Sequence, residues 1–184
     1  ALVLRSSRPL RVLDLASGGG DVLCDLGRRS AALGLKVELF GLDRSPVAVE
    51  TARGLALRRQ IPARFVVGDV LHGDWPDGMD VVMCSLFLHH LETAEVIQLL
   101  NRMSHAATTV LANDLIRSCL GYLLAWWGCR LLTRSPIVHV DGPRSVEGAF
   151  TLTEIRDLAR QAGLETVQLS RHWPERFLLR WDRS

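Results

Sequence analysis

Apolar positions along the chain alternate between two rhythms. Short runs of Val, Leu and Phe are separated by longer stretches in which apolar residues recur every three or four positions. That alternation predicts a parallel α/β sheet. Leu10–Leu15, apolar on both sides, predicts a central strand. A helix is expected over 21–33, stopped by Gly34. A second strand is expected over 37–42. Ser45-Pro46 then supplies a capping residue and a first-turn proline for a helix reaching Arg59. Strands three and four are expected over 64–67 and 79–85, around a loop marked by Gly73, Pro76 and Gly78. Positions 92–105 place Val96, Leu99, Leu100 and Met103 on one helical face, and 108–112 predicts strand five.

The rhythm then changes. Positions 115–133 form a long apolar helical run, broken by Gly121, Gly128 and Arg130 and shorter than the roughly 20 apolar residues a bilayer span needs. An irregular segment is expected over 135–150. A helix over 151–162 has Thr151 as cap, Glu154 completing a capping box and Gly163 as stop. Strands over 164–169 and 176–181 close the pattern as an antiparallel hairpin, turning at Trp173-Pro174.

Composition narrows the class. With 184 residues, 48% hydrophobic and 23% charged, the whole chain, 1–184, suits one globular domain. A net charge of +2, without a basic block, offers nothing to nucleic acid. Cys24, Cys84, Cys119 and Cys129 form no C-x-x-C pair and no zinc spacing. They lie in apolar runs, which predicts buried reduced thiols and a cytoplasmic location. The sequence starts at Ala1 with a strand almost at once, which predicts that an N-terminal segment has been removed.

The candidate chemistry lies at the first strand-turn-helix, Val12-Leu13-Asp14-Leu15-Ala16-Ser17-Gly18-Gly19-Gly20. Glycines there permit a sharp turn and close approach of a ligand beyond the carboxyl ends of the strands. A dinucleotide fingerprint would put glycine where Leu23 stands, and the Gly-Lys-Ser/Thr of a P-loop is absent. Asp14 and Asp21 flank the turn; carboxylates there repel a pyrophosphate and suit a cationic ligand bearing an ammonium and a sulfonium, as S-adenosylmethionine (SAM) does. Asp21 serves equally as a helix N-cap. Asp43 closes strand two and can accept from both ribose hydroxyls, or cap the next helix. Asp69 follows strand three, where it can accept from an adenine amino group or simply shape a turn, with Val70 against the ring.

Taken in order, these residues resemble the class I SAM-dependent methyltransferases of small-molecule type. The glycine turn resembles their first motif and Gly41-Leu42-Asp43 the second, acidic one. Gly68-Asp69-Val70 is similar to the adenine motif, and positions 80–91 to the fourth-strand motif of ubiquinone, menaquinone and polyketide-associated relatives. The resemblance implies an α/β, Rossmann-like sandwich: a mostly parallel seven-stranded sheet with an antiparallel last strand and helices on both faces. It implies SAM as cofactor and S-adenosyl-L-homocysteine (SAH) as product. Asp14, Ala16, Ser17, Gly18 and Gly20 then line the methionine end. Asp43, with Arg44 beside it, takes the ribose; Asp69 and Val70 take the adenine; Cys84, Ser85 and His90 lie where the fourth strand meets the ligand. Ala16 and Ser17 depart from the usual glycine and cysteine. The family's N-terminal helices, which cover SAM and substrate, are expected to be missing, and 115–150 to be an acceptor-side insertion.

The reaction expected is methyl transfer to a small, hydrophobic or aromatic acceptor, O-methylation before C-methylation. Candidate bases are His90, and His139 and Asp141 within 135–150. His89 is expected to pack or cap, and Asp114 to line the pocket or cap a helix. Tyr122, Trp126 and Trp127 can wall an acceptor pocket, pack in the core or face a second copy or a membrane surface. Arg144, with Arg117 and Arg134, can meet an acidic acceptor or remain solvated. A metal is not expected, since Asn113-Asp114 lacks the other ligand positions of catechol methyltransferases. The expected partners are a small-molecule acceptor and a homodimer mate, with neither nucleic acid nor stable membrane insertion. The rival readings are a catalytically silent SAM-binding scaffold and an NAD-dependent oxidoreductase; Leu23 and the paired acids oppose the second.

Overall fold

The computed structural model describes residues 8–132 and 135–183. Seven strands, β1 (Leu10–Leu15), β2 (Val37–Asp43), β3 (Ala63–Val67), β4 (Val81–Ser85), β5 (Thr109–Leu115), β6 (Gln168–His172) and β7 (Arg176–Asp182), form one sheet of order β3-β2-β1-β4-β5-β7-β6. β1 pairs in parallel with β2 and β4, β2 with β3, while β6 and β7 are antiparallel. The mixed sheet expected from the resemblance is therefore present. The helices are α1 (Asp21–Ala32), α2 (Pro46–Arg59), α3 (Thr93–Ala106), α4 (Cys119–Leu132), α5 (Pro136–Gly148) and α6 (Leu152–Gln161).

The chain divides into two compact units. The first runs to Ser85 and takes in 102–110 and the end of β7; its core includes Leu13, Leu15, Leu23, Leu42 and Phe65. The second holds 86–101 and 111–181, around Leu88, Leu99, Ile155, Leu164 and Phe177. Local signals set several ends as expected. The Ser45 side chain accepts from the Ala48 N–H, and Thr151 and Glu154 make both halves of the capping box.

Four expectations are corrected. The 135–150 stretch is not irregular: α5 occupies most of it, with Pro136 at its first turn and Pro143 inside. Pro143 removes one helical hydrogen bond, and packing overrides the loss. Gly142 lies so close to α4 that a Cβ there would collide with Cys129 Sγ, and Val146 is buried. Strand five does not stop at Ala112 but continues through Asn113 and Asp114 to Leu115. Strand six starts at Gln168 rather than 164; Leu164 is a buried core residue just after α6. Cys24 and Cys84 are buried as expected, but Cys119 is exposed and Cys129 half-buried. The expected end of α4, Thr133, lies outside the described residues, as does Arg134. Among the described residues no helix is long and apolar enough to cross a membrane.

Candidate active site

In the first unit, strand register brings the expected cofactor residues to one edge. Leu15 of β1 lies opposite Leu42 of β2 and Cys84 of β4, and Asp43 lies opposite Val67 of β3. The carboxyl ends of four strands are thereby aligned. The turn leaving β1 is tied to β2, since Ser17 N–H donates to the Leu42 carbonyl. Asp43 ties it a second time: Oδ2 accepts from Gly18 N–H at 2.8 Å, while Oδ1 accepts from Ser45 N–H at 2.9 Å. Ala16, where a glycine is usual, adopts φ 52°. This left-handed conformation costs an L-residue roughly 1–2 kcal/mol.

Asp14 is the unusual group here. Its side chain is buried, and Oδ1 meets no hydrogen-bond partner. Burial, with the nearby Asp43 charge, pushes its carboxyl up from 3.8 to about 7. Ser17 Oγ is likewise buried and unpartnered. Beside them Gly18, at φ 52°, faces open space where a side chain would stand. An orphaned acid, an orphaned hydroxyl and a vacant glycine cradle fit a ligand that brings its own donors, as the ammonium of SAM would.

Gly20, not Asp21, is the N-cap of α1; Asp21 is the first helical residue and is exposed, 3.9 Å from Arg59. A glycine at φ 79° completes the turn one residue earlier than a side-chain cap would. Leu23 is fully buried in α1. Asp69 does form a turn, Oδ1 accepting from Leu71 and His72 N–H at 2.7 and 3.0 Å. Those backbone bonds hold its carboxyl below the usual range. Val70 beside it is buried, and Arg44 is exposed.

The second unit holds the acid-base candidates. A 3-10 turn at Leu88–His90 follows β4. His89 Nδ1 lies 2.7 Å from Asp114 Oδ1, with both side chains nearly buried, and Asp114 Oδ2 accepts the His89 backbone N–H. Asp114 thus orients His89 rather than capping a helix. Two residues 25 apart in sequence carry this pair, so no local motif announces it. His90 is exposed, its ring centroid 4.0 Å from that of His89. Partial desolvation and the neighbouring His89 lower its pKa, while the charges of Asp114 and Asp141 oppose the shift. Of the three expected bases, His90 and Asp141 are therefore electrostatic neighbours. His139, on α5, donates its backbone N–H to the Ser135 carbonyl.

The expected acceptor residues lie on α4 and α5. Tyr122 lines an open groove of about 580 Å³ together with Arg117 and Glu147. Trp126 stacks under the Arg130 guanidinium, 3.8 Å from ring centroid to carbon, and meets Trp127 edge-on. Arg144 is exposed on α5, and Arg117 pairs with Glu154.

The methyltransferase-domain family matches residues 12–109. A demethylmenaquinone methyltransferase of Deinococcus radiodurans is 38% identical over 78 residues, 42% of this chain and 31% of that protein. A ubiquinone biosynthesis O-methyltransferase of Pseudomonas putida is 26% identical over 160 residues, 86% of this chain and 66% of that one. The chain thus spans less than two thirds of the length of these relatives. In fold, it resembles the magnesium protoporphyrin IX methyltransferase of Synechocystis, solved with bound SAH, at a TM-score of 0.66 and 17% identity, covering 96% of this chain and 75% of that one. The family match extends from the glycine turn to the start of β5 and takes in every strand end that carries a candidate cofactor residue: the chain belongs to the methyltransferase-domain family.

Proposed function

We propose that the chain binds SAM and transfers its methyl group to a small, apolar or aromatic acceptor, with O-methylation ahead of C-methylation. The observation that carries this reading is Asp14, a buried carboxylate whose Oδ1 lacks a partner beside the open glycine turn. SAM supplies a methyl group already activated by its sulfonium. Asp14, with the turn Ala16, Ser17, Gly18 and Gly20, holds the methionine end. Asp43 and Arg44 meet the ribose, Asp69 and Val70 the adenine, and Cys84 and Ser85 close the end of β4.

A hydroxyl acceptor must lose its proton as the methyl arrives. His90 takes that proton on an imidazole nitrogen, because its lowered pKa keeps it neutral at physiological pH. The buried His89–Asp114 pair fixes the turn that presents it. Asp141 favours the imidazolium once formed, and His139 is the second candidate base. His90→Ala should lower kcat about 100-fold with SAM affinity unchanged. A wild-type rate for this variant would move the role to His139.

Turnover is tested with the full-length protein, labelled SAM and a panel of phenols and quinols. A labelled ether is the expected product. SAM binding with no product from any acceptor would instead favour a silent SAM-binding scaffold.

A further inference from the structure

A second cavity, of about 290 Å³, lies within the second unit between α4, α5 and the turn into β7. Its apolar wall includes Ile116, Leu124, Ala125, Val146 and Pro174. Gly121 and Gly142 also face it, and the close approach of Gly142 to Cys129 leaves no room for a larger residue there.

Two charged residues complete the wall, and they differ. The Glu175 carboxylate is already engaged: Oε2 accepts from Ser118 Oγ at 2.6 Å and Oε1 from Arg171. Arg176 also lines the cavity, and its Nε is buried with no hydrogen-bond partner. A buried guanidinium N–H left without an acceptor costs free energy, more than a neutral donor does. The charges of Arg171 and Glu175 offset each other, so Arg176 leaves this wall one positive charge. An apolar chamber with an uncompensated guanidinium, that of Arg176, on its wall is complementary to an anionic oxygen on an apolar body.

We propose that this cavity binds a small, largely apolar acid, its body against Leu124, Ala125 and Val146 and its anionic oxygen accepting from Arg176 Nε–H. The identity of that acid as the methyl acceptor rests on the function proposed above; the binding site itself does not.

Matched probes test it with the full chain: 1-naphthoate and its neutral counterpart 1-naphthalenemethanol, titrated by calorimetry and by methyl NMR. Naphthoate should bind at least tenfold more tightly and shift the methyl signals of Ile116, Leu124 and Val146. Arg176→Gln should lower naphthoate affinity about tenfold and leave the alcohol unchanged. Ala125→Phe, which fills the chamber, should abolish both. Equal affinities for acid and alcohol, an Arg176→Gln variant that is folded by its melting curve yet binds naphthoate normally, or shifts confined to other parts of the chain would overturn the site. SAM titrated into the same samples separates the two ideas. A chain that binds naphthoate but not SAM keeps the pocket and loses the methyl-transfer reading, and the converse result does the reverse.

Discussion

Asp14→Asn should weaken SAM binding about 100-fold and, in the same protein, raise ligand-free stability at pH 8. The two effects have one cause. Asp14 is buried beside Asp43 with an oxygen that nothing in the chain satisfies, and its carboxyl titrates near 7 instead of 3.8. At about 1.4 kcal/mol per pH unit, the ionised form costs the folded chain at most roughly 4 kcal/mol. Because the folded pKa is raised, the folded state binds more protons than the unfolded chain between about pH 4 and 7. The contribution of Asp14 to stability is therefore least unfavourable below pH 4, worsens as pH rises to 7 and is fully unfavourable above. Asparagine removes the charge but brings a buried amide that costs about 1–3 kcal/mol if unpaired. A net gain of roughly 2 kcal/mol at pH 8 remains; it should vanish at about pH 5 and turn into a loss of roughly 2 kcal/mol near pH 4. In the wild type, SAM affinity should fall about tenfold per pH unit below 7, as protons compete with the ligand ammonium. Melting curves and SAM titrations at pH 5 and 8 check both halves. An unchanged affinity in the variant would remove Asp14 from the site.

Gly20→Ala is expected to destabilise the chain by about 3 kcal/mol. Gly20 adopts φ 79°, and a Cβ there would stand 2.9 Å from both Ala52 Cβ and the Phe65 ring. The left-handed conformation costs alanine about 1 kcal/mol, and overpacking a filled core adds roughly 1–3 kcal/mol. In a chain of this length the melting temperature should drop by about 9 °C. Phe65→Leu in the same background should return part of the loss, because it removes the clash and leaves the backbone strain. If the double variant loses the sum of the two single losses, the Phe65 contact is not the cause. Glycine in this turn thus serves the packing of α1 against α2 and β3 as well as the ligand.

The features legible in the sequence are those in which cause and effect lie within a few residues. The glycine turn, the Ser45-Pro46 start of α2 and the Thr151–Glu154 box each fix a local geometry. Parallel pairing then carries Asp14, Asp43 and Asp69 to one edge without further information. Features made by distant residues escaped. Gly142 and Pro143 suggest a loop, yet both lie within α5, where Gly142 packs closely against Cys129 of α4. His89 and Asp114 are unremarkable separately and become an oriented pair through β5, which continues past its expected end. Nothing local marks Arg176 among the many arginines of the chain; the fold alone buries its Nε without a partner. Asp21 was misplaced by a single residue, because a glycine cap and an aspartate cap leave nearly the same sequence signature.

The central claim is that the acids around the glycine turn select a cationic ligand, SAM, over a dinucleotide. Its most direct test is calorimetric titration of the unmodified chain at pH 8 with SAM and, separately, with NAD. SAM should bind with a dissociation constant in the micromolar range and NAD should give no binding heat; binding of NAD without SAM would contradict the account.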